Sequence, residues 1–231
     1  MSSRQERYME RQQYQSGKQT VSDTVYNLLI GGTLFYGFLV NCLMVALFSD
    51  SIVEFAINTG GIGFFIVYAI MVIAGSIMVN KSTNPAISFA GYNLIVIPMG
   101  MCLTILLEAY VSAGYSTVIA TAFGITGIVT LIMMAVSSVF PNFFLSMGRV
   151  LGISLLACIV IEVILMIAGA PLAIMDYIVV LIFCGYIGYD WARANACFKT
   201  VDNAIDSAAE LYVDIVNLFV RILSILARNR D

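Results

Sequence analysis

The segment SAAELYVDIVNLFVRILSIL, residues 207–226, gives the clearest evidence for the fold of this chain. Its polar side chains recur every three or four residues, so on an α-helix they lie along one face, which we call the polar stripe. The members of the polar stripe are Ser207, Glu210, Asp214, Asn217, Arg221 and Ser224. The rest of the segment is almost entirely apolar, and at 1.5 Å per residue it covers about 30 Å, one hydrocarbon thickness.

Charged groups at membrane depth are costly unless they face protein or a water-filled cavity. We therefore predict that this segment is a central spanning helix, enclosed by other helices. The alternative is an amphipathic helix on the membrane surface, but such helices carry several Lys or Arg residues and a narrower apolar face. Ser207 followed by Glu210 matches a capping box, which predicts that the helix begins at Ser207.

The composition places the chain in the integral membrane class. Of its 231 residues, 61% are hydrophobic and only 11% are charged, far from the values of soluble domains. The net charge of -3 gives no indication of the basic surface that nucleic-acid-binding proteins carry. Histidine is absent, which removes the commonest metal ligand and general base. The five cysteines stand singly, so we expect free thiols rather than a disulfide framework, and no cofactor.

The rest of the chain predicts a polar tail at 1–24 and a single seven-helix transmembrane domain at 25–231. Six apolar runs precede the last helix, and each is long enough to cross a bilayer. They are Val25–Phe48, Gly61–Val79, Pro85–Leu107, Thr117–Val139, Met147–Ala168 and Ala170–Tyr189. Short links rich in Ser, Asn, Gly or Pro separate them, including one at Phe140–Ser146. Glycines such as Gly124, Gly127, Gly148, Gly185 and Gly188 are expected to pack helices closely.

The distribution of Lys and Arg predicts the orientation. With the N-terminus in the cytoplasm, eight of these residues fall on that side and two on the other, not counting Arg221 within the seventh span. Seven spans then place the C-terminus outside. In this orientation Glu54, Glu108, Glu162 and Asp176 lie toward the outer face. Asp190 and Asp214 lie at similar depth near the inner mouth.

Two neighbouring carboxylates in a low-dielectric setting cannot both ionise cheaply, so Asp190 and Asp214 are expected to titrate as a unit. Protonated, the pair could join two helices; deprotonated, it would repel or bind a cation. This predicts a pH-sensitive path for a hard cation such as Ca²⁺, with both aspartates as metal ligands and Asn217, Arg221 and Ser224 supporting them. Alternatively, Asp190 is an interfacial acid and Asp214 pairs with Asn217 or Arg221.

Glu162 likewise has two interpretations. It stands alone in the fifth apolar run, and it either contributes to transport or pairs with Arg221. Glu108 and Asp176 lie near span ends, where an interfacial position is the simpler expectation.

Several motifs resemble the Bax inhibitor-1 (transmembrane Bax inhibitor motif) family. They are Tyr189-Asp190, the string LYVDIVNLF at 211–219, Ser146-Met147-Gly148 and Asn84-Pro85-Ala86. The resemblance implies three helical hairpins around the last helix and a pH-dependent Ca²⁺ leak gated by two aspartates, which match Asp190 and Asp214. It also suggests a prokaryotic member in the plasma membrane, with the lipid bilayer, calcium ions and protons as partners.

The sequence departs from the family at two places. Trp191-Ala192 follows the Tyr-Asp motif, where family members often have Thr-Gln. Related proteins also hold the aspartates with an Arg near the inner end of the second helix, where this chain offers only Asn80 and Lys81. The closed-state contact is therefore not assigned by the sequence.

Two other classes compete with a channel. An intramembrane aspartyl protease would use two aspartates as general acid and base, but the Gly-x-Gly-Asp element of such enzymes is missing before Asp214. A serine protease would lack its histidine base. A scaffold that binds other membrane proteins without transport is also compatible with the composition. We expect a protein that is not an enzyme.

Overall fold

The structure is a computed structural model that describes residues 20–230. Within these residues the chain forms seven α-helices joined by short links. They are α1 (Asp23–Thr59), α2 (Gly61–Lys81), α3 (Pro85–Ser112), α4 (Ser116–Val139), α5 (Pro141–Ile167), α6 (Ala173–Ala196) and α7 (Val201–Arg228). The predicted all-helical fold is confirmed. Most of the predicted tail lies outside the described residues, and the single-domain assignment stays a prediction.

Helices α1 to α6 are long and apolar enough to cross a membrane. Their outward faces carry large apolar side chains, such as Ile62, which is 81% exposed, and Leu28, which is 74% exposed. Extended exposed apolar surface is typical of contact with lipid. The protein is therefore a multi-pass integral membrane protein. α7 is less apolar because the charged members of its polar stripe interrupt it.

Helix α1 is longer than predicted. It begins after Ser22, whose Oγ accepts a hydrogen bond from Val25 N at 3.4 Å, and it continues for 37 residues to Thr59. The predicted end at Phe48 was wrong, because no helix-breaking residue follows until Gly60. Gly60 ends the helix with φ of 71°, a conformation that favours glycine. Asp50 and Glu54 thus lie on a helix.

Two predicted helix starts were also wrong, those of α5 and α7. The expected loop Phe140–Ser146 is mostly helix, because Pro141 occupies the first turn of α5, where a missing N–H costs nothing. α7 begins at Val201 rather than Ser207. Thr200 Oγ1 accepts from Asn203 N at 3.2 Å, and this bond caps the helix. The match to a capping box at Ser207 was therefore coincidental.

The helices group into two compact units. One unit comprises the chain up to Ile105 together with Ala194–Ala209. In it, the start of α7 contacts α1 through the 3.1 Å hydrogen bond between Ser207 Oγ and Tyr26 Oη. It also contacts α3, since Ser88 Oγ donates to Asp202 Oδ1 at 2.8 Å. Asp202 and Ser88 are fully buried.

The other unit comprises Leu106–Arg193 and the chain from Glu210 onward. In this unit α7 packs against α4 through the rings of Phe219 and Phe123, whose centroids are 5.8 Å apart. Ion pairs also join α7 to α5 and to α6. Leu211, Tyr212, Leu218 and Leu223 of α7 are fully buried. The prediction that the last helix is enclosed by other helices is confirmed by these contacts.

Candidate functional site

The structure brings Asp190 of α6 and Asp214 of α7 together, and we call them the aspartate pair. Their carboxyl groups lie within hydrogen-bonding reach of each other. Asp190 is 7% exposed and Asp214 is 6% exposed. Among the residues that the structure describes, Asp214 Oδ2 is buried without a hydrogen-bond partner. Two buried carboxylates in contact are costly while both are charged, so the arrangement favours a proton shared between them.

Arg193 provides a positive charge next to the aspartate pair. Its Nη2 lies 3.3 Å from Asp190 Oδ1, one helical turn away on α6. The same guanidinium forms an ion pair with Glu210 of α7 and lies over the Tyr189 ring, 5.5 Å from its centroid. From the sequence, Arg193 was only one of the eight basic residues predicted on the cytoplasmic side. An i, i+3 spacing from Asp190 was the signal that could have identified it.

Contacts from α4 and α5 fix this end of α6. Ser137 Oγ donates to the carbonyl oxygen of Gly188, and Trp191 Nε1 donates to Ser138 Oγ at 2.8 Å. A Cβ added to Gly148 would lie 2.6 Å from the Tyr189 ring. Close helix packing therefore holds the residues on both sides of Asp190.

Close helix packing was predicted for several glycines, and the structure confirms it for some of them and not for others. Gly148, Gly185 and Gly188 are at close helix contacts, as predicted, because an added Cβ would collide with Tyr189, Leu151 and Phe144 respectively. For Gly124 and Gly127 the prediction was wrong, since nothing lies within 4 Å of an added Cβ.

A second charged group lies further along α7, and we call it the arginine cluster. It consists of Glu162, Asp176, Arg221, Ser224 and Arg228. Arg221 Nη1 is 2.7 Å from Glu162 Oε1 and 2.9 Å from Asp176 Oδ1, and Arg221 Nη2 donates to Glu162 Oε2 at 2.8 Å.

Asp176 is the most buried member of the arginine cluster, at 3% exposed. It also accepts from Ser224 Oγ at 3.0 Å and forms an ion pair with Arg228. The arginine cluster thus contains two carboxylates and two guanidinium groups. The interpretation of Glu162 as a partner of Arg221 agrees with this geometry, and Arg221 contacts Asp176 as well.

The remaining predicted residues lie apart from these contacts. Asn217 Nδ2 donates to Val213 O at 2.8 Å on its own helix, whereas Asp214 contacts Asp190. Glu54 and Glu108 are exposed. Asn80 Nδ2 donates to Ser76 O on its own helix at 2.8 Å. Within residues 20–230, no group of three or more His, Cys, Asp or Glu side chains gathers as a metal site.

Calcium usually takes six to eight oxygen ligands, more than two carboxylates supply. The aspartate pair can therefore bind Ca²⁺ only together with water or backbone oxygens. Such an incomplete ligand set suits a transported ion better than a permanently bound one, because a permeating ion must also leave. The same two groups can take up and release a proton.

Comparison with known proteins agrees with the motifs. The model of the family described as "Inhibitor of apoptosis-promoting Bax1" matches residues 18–231. A protein from one Helicobacter pylori strain is 30% identical over 129 residues, covering 55% of each chain. A protein from a second strain is 32% identical over 107 residues, covering 46% of each. Both relatives are described as uncharacterized, and this chain spans about half the length of each. Because the family model covers nearly the whole sequence, the chain belongs to the Bax inhibitor-1 family.

Proposed function

We propose that the protein is a pH-sensitive Ca²⁺ leak channel or transporter in which the aspartate pair is both gate and pH sensor. The main support for this proposal is that two buried carboxyl groups, those of Asp190 and Asp214, are in direct contact between neighbouring helices. Such a contact is stable with a shared proton and unstable when both groups ionise. When the proton is lost, two negative charges face each other, and their repulsion favours the separation of α6 from α7.

The charges around the aspartate pair support a cation rather than an anion. In the part of the chain that the structure describes, the carboxylates of Asp190, Asp214 and Glu210 lie near one guanidinium, that of Arg193. An excess of negative charge attracts cations and repels anions. We assign to Arg193 the role of the closed-state contact that the sequence did not identify. It forms ion pairs with Asp190 on α6 and Glu210 on α7.

We further propose that the protein acts in the plasma membrane with its N-terminus in the cytoplasm and its C-terminus outside. The asymmetry of Lys and Arg supports this orientation. The matched relatives from Helicobacter pylori are bacterial, which supports a prokaryotic membrane. In this orientation the aspartate pair lies toward the cytoplasm.

The test is flux into liposomes. Purified protein is reconstituted around a trapped Ca²⁺ indicator, and the initial rate is measured from about pH 6 to about pH 8. The rate should rise with pH, because the pair loses its shared proton. Asp190→Asn and Asp214→Asn should each flatten this profile. Asp50→Asn, which removes an exposed carboxylate on α1, is the matched control and should leave it unchanged.

Other outcomes would favour the competing functions. Cleavage of a helical reporter peptide that depends on both Asp190 and Asp214, without Ca²⁺ flux, would identify an aspartyl protease. Absence of both flux and cleavage in well-folded protein would contradict a channel and favour a scaffold.

A further inference from the structure

The arginine cluster is not needed to explain the aspartate pair, yet it lies on the same face of α7. Asp214 and Arg221 both belong to the polar stripe, and seven residues separate them along α7, about 10 Å at the helical rise. Arg228 follows after another seven residues. A cation that moves along this face from the aspartate pair must therefore pass a guanidinium group.

The position of Arg221 is fixed from two sides. Its two terminal nitrogens contact Glu162 on α5 and Asp176 on α6 at 2.7 to 2.9 Å. A guanidinium suits such a role because its planar donors match two carboxylates at once and it stays charged at every physiological pH. Arg221 thus joins three helices through contacts that a change of pH between about 6 and 8 does not remove.

The charges of the arginine cluster balance. Glu162 and Asp176 carry two negative charges, and Arg221 and Arg228 carry two positive charges. A balanced cluster offers a passing cation no net attraction. Its carboxylates become available to a cation only if Arg221 releases one of them.

We propose that Arg221, held by Glu162 and Asp176, is a second closure of the polar stripe and determines which ions pass it. This inference rests on the proposed function, because it assumes a cation path along α7. The closure opens when a divalent cation competes with the guanidinium for the carboxylate of Glu162. Glu162 is the better candidate for this exchange because its side chain is 18% exposed, against 5% for Asp176.

The experiment compares single and balanced variants. Glu162→Gln leaves Arg221 with one carboxylate and an uncompensated positive charge, so Ca²⁺ flux should fall. The double variant Glu162→Gln/Arg221→Gln keeps the balance, because Asp176 and Arg228 remain paired, but it removes the closure. Its Ca²⁺ and Na⁺ fluxes should both rise roughly fivefold, a change typical of losing one partly exposed ion pair.

A second readout does not depend on flux. Asn217→Cys places a thiol between Asp214 and Arg221, and its reaction with a charged, membrane-impermeant thiol reagent is measured above the background of the chain without it. In the double variant the reagent, added from the Arg228 end, should react faster. Faster reaction without Ca²⁺ flux would support the closure and contradict the cation channel. An unchanged reaction rate in a double variant that still unfolds cooperatively, and well above the assay temperature, would overturn the closure, whatever the flux.

Discussion

The aspartate pair and the arginine cluster lie on one face of the same helix, but their charges are arranged differently. Counting only the described part of the chain, three carboxylates lie beside one guanidinium at the aspartate pair. In the arginine cluster, two carboxylates lie beside two guanidinium groups. An unbalanced group of buried acids lowers its energy by binding a proton or a cation. A balanced group needs neither, and it stabilises the contact of its helices at any physiological pH.

Burial alone therefore does not predict which aspartate lacks cationic partners. Asp176 is 3% exposed and Asp190 is 7% exposed, so the less buried aspartate is the one with too few cationic partners. What separates them is the number of donors within reach. Asp176 has two guanidinium groups and a hydroxyl, whereas Asp190 has one guanidinium and a second carboxylate.

The largest effect is expected when the balance of the arginine cluster is broken. Arg221→Gln leaves Glu162 without its cation and Asp176 with Arg228 alone, and we expect it to lower the free energy of unfolding by about 3 kcal/mol. Glu162→Gln/Arg221→Gln should lower it by only about 1 kcal/mol, because both charges leave together. Denaturant unfolding in detergent micelles measures both values. A double variant less stable than the single one would contradict a balanced cluster.

The next effect concerns the titration of the aspartate pair. In wild type the Ca²⁺ flux should differ about tenfold between about pH 6 and about pH 8. This factor corresponds to about 1.4 kcal/mol of difference in interaction energy between the protonated and the ionised pair. Asp214→Asn should bring this ratio close to one, and adding Asp190→Asn should change it no further, since the pair titrates as a unit. Independent, additive effects of the two substitutions would contradict coupling.

Removing the cation beside the aspartate pair should have a smaller effect. Arg193 favours the ionised form, so in Arg193→Gln the pair should keep its proton to higher pH. The midpoint of the flux profile should rise by about half a pH unit, because the Arg193 side chain is 33% exposed and partly screened. Arg149→Gln, an exposed arginine on α5, is the control. A midpoint that falls would contradict this role of Arg193.

The smallest effect is expected for Ser224. Ser224→Ala removes the 3.0 Å hydrogen bond to Asp176 Oδ2, but both arginines remain. We expect a loss of about 0.5 kcal/mol in unfolding free energy, as for one hydrogen bond. The pH midpoint of flux should stay at the wild-type value, and a shift would show that the two charged groups are coupled along α7.

The helical class, the existence of six long apolar helices and the shared face of Asp214 and Arg221 could be predicted from the sequence alone. Hydrophobic run length and helical periodicity depend only on residues close together in the chain, so these features are readable locally. The same holds for Pro141 and Thr200 as helix starts, although stronger-looking loop and capping patterns nearby concealed them.

The contacts between charged side chains could not be predicted from the sequence and depend on how the helices pack. Asp190 contacts Asp214, Arg193 reaches Glu210, and Arg221 divides its donors between Glu162 and Asp176. The reason is that contacts between helices depend on their rotation and crossing, which no local pattern fixes. Long arginine side chains add to this freedom, because each can reach several carboxylates, and the packing around it selects among them.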